Sequence, residues 1–280
     1  MNIAHIISEI EKKDPEIYDR LSPRRKVMQQ FARTGKKIVL SALPLALSSM
    51  FNKAYGRDVT AIADVLQYAL KLEYLEAAFY TKVIDSTDIV PMGPPKDAFK
   101  QIYDHEKAHV ALLQSTITGL GVSPISEPSF DFTAGNGSGN GPFKNVFGDY
   151  SLLLSVAQTL EDTGVRAYKG RIADLVDSND ILTVALQIHS VEARHASHIR
   201  SMRRALADST AIKPWITGKD TAGIGAVVQA SYNGEESTTQ LKINLVNMNG
   251  TNISADTASE AFDEPLAEDA VLAIIDPFIV

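Results

Sequence analysis

Two copies of Glu-x-x-His, each set inside an apolar helical stripe, constrain this chain more than any other feature. They are Glu106-Lys107-Ala108-His109 and Glu192-Ala193-Arg194-His195. Residues three apart on a helix share a face, so each pair aims a carboxylate and an imidazole in one direction. That direction is inward: Glu106 and His109 continue the line Phe99, Ile102, Leu113, while Glu192 and His195 continue Ile181, Ala185, Ile188 toward Ile199. Two further glutamates share the property. Glu73 lies in register with Leu66 between Ala69 and Tyr80, and Glu161 falls between Ala157 and Tyr168. A carboxylate buried alone either destabilises the fold severely or takes up a proton. Four carboxylates and two imidazoles on core-facing stripes call for positive charge in their midst, and a pair of divalent cations supplies it. The plainer alternative is a set of core polar residues paired with one another.

Apolar residues recur at helical spacing in four blocks between about Asp58 and Ala207. The first carries Ile62, Leu66, Ala69, Tyr80 and Val83 and ends before Pro91-Met92-Gly93-Pro94-Pro95. The second starts after those prolines and stops at Gly119 and Gly121; the third runs from about Asp149 through Ile172 and Leu175. The fourth opens at the capping-type cluster Ser178-Asn179-Asp180 and reaches Leu206. Short turns join the blocks pairwise into two antiparallel hairpins. Between the hairpins, a Gly/Ser/Asn/Pro-rich stretch from about Val122 to Gly148 is long enough to run the length of a bundle. The expected fold is therefore all-α, a four-helix bundle of two hairpins joined by one long crossover.

Heights along the bundle agree. From Glu73 to the end of its helix is roughly 18 Å, and from the start of the next helix to Glu106 roughly 16 Å. For Glu161 and Glu192 the corresponding legs match to within about one turn, so all six groups can meet in one layer. One Glu from each of two helices plus Glu-x-x-His from each of the other two is the donor arrangement of di-iron and di-manganese carboxylate bundles. The spacing Glu-x6-Tyr recurs as Glu73…Tyr80 and Glu161…Tyr168, an internal two-fold pattern.

The rest of the composition mainly excludes. A formal charge of −7 opposes a nucleic-acid partner. The absence of cysteine removes disulfides, thiolate nucleophiles and Cys-ligated metals. No apolar stretch approaches the ~20 residues needed to span a bilayer. Residues 1–57 read as a leader: Ser22-Pro23-Arg24-Arg25-Lys26-Val27-Met28 resembles a twin-arginine signal, with Pro23 and Val27 departing from the pattern, and a short apolar run from Ile38 to Met50 follows. That reading implies export to the periplasm; a docked N-terminal helix on a cytoplasmic protein is the other. Residues 58–212 are read as the bundle and 213–280 as an extension in which Gln240 to Val246 alternates like a strand and a short helix follows Pro265. The extension is expected to cover the bundle or to contact a partner or a second copy.

The segments Leu72 to Tyr80, His105 to Val110, Leu160 to Val165 and Val191 to His195 together resemble the ferritin-like domain family that includes desiccation-related proteins, over about Val59 to Leu206. The resemblance implies a centre of two iron or manganese ions held by Glu73, Glu106, His109, Glu161, Glu192 and His195. It suggests action on dioxygen or peroxide as an oxidase, peroxidase or catalase-like scavenger. A structural stress protein and an iron store are the alternatives. Around the six, Tyr80 and Tyr168 read as supporting hydroxyls or packing aromatics, with radical or electron-transfer duty as the alternative. Glu76, rotated by about 60° from Glu73, reads as a flank salt bridge, with a supporting acceptor or extra ligand as alternatives. His105, His189 and His198 read as flank or next-layer residues, with hydrogen bonding behind the ligands or a metal entry route as the sharper reading. Arg194, Arg200, Arg203 and Arg204 read as a solvated face.

Overall fold

The computed structural model describes residues 59–86 and 88–280. The twin-arginine-like signal and its docking-helix alternative fall on residues outside that range. Among the described residues, four long helices form the body: α1 (Val59–Asp85), α2 (Pro94–Gly119), α3 (Tyr150–Arg171) and α4 (Asn179–Ala207). Pro94 and Pro95 do not precede α2 but open it, in the first turn, where a missing N–H breaks no helical bond. Asp149 caps α3, its Oδ1 accepting from Ser151 N at 2.8 Å and Leu152 N at 3.1 Å. Ser178 occupies the equivalent position before α4, but its hydroxyl makes no capping bond. The third block is shorter than its periodicity suggests: beyond Arg171 it tightens into a 3-10 turn, Ile172–Leu175.

α1 packs along α2 and α3 along α4, giving the two hairpins. Leu66, Leu70, Leu113, Leu153, Leu154, Ile181 and Ile199 fill the seam. The crossover is an ordered structure in its own right. The Asp131 carboxylate accepts from Thr133 N, Thr133 Oγ1 and Gly139 N at 3.0, 2.6 and 3.0 Å, and Phe132, Phe143 and Val146 are buried. The chain's last residues tie it down. Phe130 bridges to Ile279, and Asp131 N and Asn136 N donate to Phe278 O and Pro277 O at 2.8 and 2.9 Å. No described helix is long and apolar enough to cross a membrane.

The extension wraps the bundle. It carries a 3-10 turn (Ala226–Ser231), a hairpin of β1 (Thr239–Gln240) and β2 (Ile243–Asn244), a second 3-10 turn (Met248–Gly250), α5 (Ala255–Ser259), α6 (Glu268–Ile275) and a closing 3-10 turn (Asp276–Phe278). The single strand expected from Gln240 to Val246 is instead folded on itself. Leu241 and Lys242 both take positive φ and turn the chain between the strands. α6 packs on α3 through Val271 and Ile275. At Gly170 the extension's backbone crosses so closely that an added Cβ would meet Leu266 O at 2.0 Å.

This cover overturns the reading of the arginines. Arg200 is 2% exposed and grips Asp162 with Nε at 2.9 Å and Nη2 at 2.6 Å, while Tyr232 donates to the same carboxylate at 2.8 Å. Arg203 donates to Gln158 Oε1 at 2.5 Å. Arg166 gathers the extension: it donates to the carbonyls of Glu264, Ser231 and Asn233 at 2.8, 2.6 and 2.9 Å and pairs with Glu235 at 2.6 Å. The arginine face of α4 looks solvated in isolation because its partners lie far along the chain, on α3 and in the extension. Arg194 stays exposed, and so does Leu206, which the apolar pattern had placed on the core stripe.

Candidate metal centre

The helical register places all six motif residues at one level of the bundle interior. Glu73, Glu106, Glu161 and Glu192 are each 0% exposed, His109 and His195 7% and 5%. Their donor atoms form two overlapping groups. Glu73, Glu106, His109 and Glu192 offer atoms all within 4.8 Å of one another, and so do Glu106, Glu161, Glu192 and His195. Glu106 and Glu192 belong to both groups. Each remaining pair, Glu73 with His109 and Glu161 with His195, belongs to one. The internal two-fold pattern of the sequence thus becomes a spatial one.

The groups crowd together without satisfying each other. His109 Nδ1 lies 3.1 Å from Glu73 Oε2, 3.2 Å from Glu106 Oε2 and 3.0 Å from Glu192 Oε1. His195 Nδ1 lies 2.8 Å from Glu106 Oε1 and 3.4 Å from Glu161 Oε2. Closeness is not alignment, however. Glu106 Oε1, Glu161 Oε2, both oxygens of Glu192 and His195 Nδ1 are buried with no hydrogen-bond partner among the described residues. Orphaned buried acceptors at this density are rare in proteins, and these could hold a metal ion. Carboxylates and imidazoles without thiolate suit iron or manganese, so the residues present fit such a group.

In the metal-free protein, protons stand in for cations. Burial pushes Glu73 up to about 8 against the pull of His109, and burial with neighbouring carboxylates drives Glu161 well above its usual range. Burial alone would depress His195, but Glu161 and Glu106 hold it up at about 12. His109 is raised for the same reason by Glu73, Glu106 and Glu192. Glu192 is the exception. Burial raises it, yet the closeness of both imidazoles, His109 and then His195, brings it below the usual carboxylate range.

Four residues frame the six. Tyr80 donates its hydroxyl to Glu161 Oε1 and Tyr168 donates to Glu73 Oε1, each fixing the carboxylate that only one group uses. Glu76 is not on a flank: it is 2% exposed. Its carboxyl is pushed well above the usual range by burial and then by Glu192, Glu161, Glu106 and Glu73. Gly164 on α3 makes room for it, since an added Cβ would lie 2.9 Å from Glu76 Oε1. His105 Nδ1 lies 2.9 Å from His195 Nε2, with the rings stacked at 5.2 Å. It is therefore neither a plain flank residue nor in the next layer. His189 and His198 stand apart from the donor groups, and His198 is exposed.

A family model described as a ferritin-like domain matches residues 61–205, a span that includes all six residues. No curated protein and no solved structure matches the chain.

Proposed function

Because the chain belongs to the ferritin-like domain family, we propose that it is a di-metal oxidoreductase, with two iron or manganese ions at this centre and peroxide or dioxygen as substrate. One observation carries the reading: two four-donor groups share Glu106 and Glu192. Bound there, the ions would supply reversible one-electron chemistry. The protein's own part is to hold and to exclude. Tyr80 and Tyr168 orient the outer carboxylates, and the near-zero exposure of the glutamates keeps bulk water out. Glu76, kept protonated by burial, holds a proton beside the centre without adding charge. The motif resemblance to desiccation-related proteins supports defence against oxidative stress as the setting of this chemistry.

The test is to purify the full chain from its natural host, measure bound metal, and follow peroxide and oxygen consumption. The reading expects metal and turnover together. Metal-loaded protein inert toward both oxidants contradicts the enzymatic role. Metal-free protein that melts identically with and without chelator favours a structural stress protein instead.

A further inference from the structure

The centre is closed on the sides where its glutamates lie, and one of its residues meets an opening. Between the N-terminal half of α2 and the C-terminal half of α4 lies a cavity of 670 Å³, lined among others by Asp97, His105, Arg194, His195, His198 and Met202. Dioxygen or peroxide needs about the volume of a water, roughly 30 Å³. A cleft of this size matches sites for small organic ligands, about 300–1,000 Å³. It also carries apolar walls for a ring, including Pro94, Pro95 and Ile102.

The histidines fix what such a ligand must look like. His195 turns Nδ1 toward Glu106 and Glu161 and Nε2 toward His105 Nδ1. With Nδ1 serving as a metal donor, the His195 proton resides on Nε2 and is given to His105 Nδ1. The proton of His105 then resides on its remaining nitrogen, Nε2, which becomes a hydrogen-bond donor for the cleft. Arg194 adds a positive charge, and Asp97 offers one acceptor. The lining thus offers positive charge to an anionic oxygen and an acceptor to a hydroxyl.

We propose that this cleft binds a small hydroxylated organic anion, of the hydroquinone or enediol monoanion class, as the electron donor of the reaction. The proposal rests on the oxidoreductase reading above. The anion loses two electrons and its remaining hydroxyl proton to become a dione. Peroxide takes up the two electrons, that proton and one from solvent, its O–O bond breaks, and two waters form. His195 both lines the cleft and belongs to a donor group of the centre, so the donor delivers electrons through it without entering the centre.

Binding is tested on the full chain with the non-oxidised probe 4-hydroxybenzoate, by calorimetry, with metal content measured on the same samples. Wild-type protein is expected to bind one probe per chain. Ala98→Trp, which fills the cleft away from the centre, and His105→Leu, which removes the donor, are expected to weaken binding about ten-fold or more. Metal content and melting temperature of Ala98→Trp should remain those of wild type. Metal-loaded wild type without saturable binding, or Ala98→Trp binding as wild type does, overturns the cleft assignment and leaves the centre standing. Wild type without metal refutes the oxidoreductase reading itself, and the donor role falls with it.

Discussion

Tyr80 on α1 gives its hydroxyl hydrogen to Glu161 on α3, 81 residues away in sequence and on the other hairpin. The mirrored bond joins Tyr168 to Glu73 across 95 residues. Each tyrosine follows one outer glutamate by two turns on its own helix and serves the other, so the two hairpins lock at the level of the centre. Tyr80→Phe and Tyr168→Phe each leave a buried carboxylate oxygen without its donor. The expected cost is ~1–3 kcal/mol in the metal-free protein, read by chemical denaturation, and less in metal-loaded protein, where a cation compensates.

Metal-free stability should fall with rising pH while the gain from added metal grows. Glu73 is raised from 4.5 to about 8 and His195 from 6.5 to about 12 in the metal-free fold. A group raised on folding stabilises fully below its unfolded value, and that contribution disappears as pH climbs toward its folded value. Both groups act alike, so the metal-free melting temperature should fall between about pH 5 and pH 8. Glu192, lowered instead, loses its contribution only as the medium becomes more acidic than 4.5. Metal must displace the imidazole protons, so the gain from added metal should grow over the same window. Calorimetric scans across it with and without chelator decide; a metal-free melting point that rises contradicts the proton accounting.

Glu76 and Gly164 should be energetically coupled. An alanine at Gly164 puts a methyl 2.9 Å from Glu76 Oε1, and overpacking of this kind costs ~1–3 kcal/mol. Glu76→Gln, which mimics the protonated acid, should be nearly neutral at pH 7. In a Glu76→Ala background the Gly164→Ala penalty should largely vanish. A double-mutant cycle with additive costs would show that the carboxyl does not occupy the space over Gly164.

Arg166→Ala should release the extension. It leaves Glu235 buried without its cation and three carbonyls without their donor, a loss of ~3–5 kcal/mol by analogy with broken buried ion pairs. Limited proteolysis is expected to cut the variant after about residue 213 while the bundle survives.

The bundle and the meeting of the six donors were legible in the sequence because both are local. A period of 3.6 residues fixes which face Glu106 and His109 share, and short turns fix the heights of facing helices. What escaped depends on distant chain. Glu76 read as a flank residue because its angle departs from the stripe, yet α1 is buried over most of its circumference from Leu70 to Tyr80. Arg200 and Arg203 read as solvated because Asp162 and Gln158 come from another helix, and Tyr232 with the carbonyls of Trp215 and Ala222 from the extension. His105 touches His195 across two hairpins, a contact set by how the helices are rotated. A histidine directly preceding the Glu-x-x-His motif was the one available hint.

Elemental analysis of wild type beside a Glu106→Ala/Glu192→Ala variant tests the central claim most directly, since those two residues belong to both donor groups. The account predicts about two iron or manganese ions per wild-type chain and essentially none in the folded double variant. Full metal loading in that variant, or metal-free wild type after growth with both metals, would contradict it.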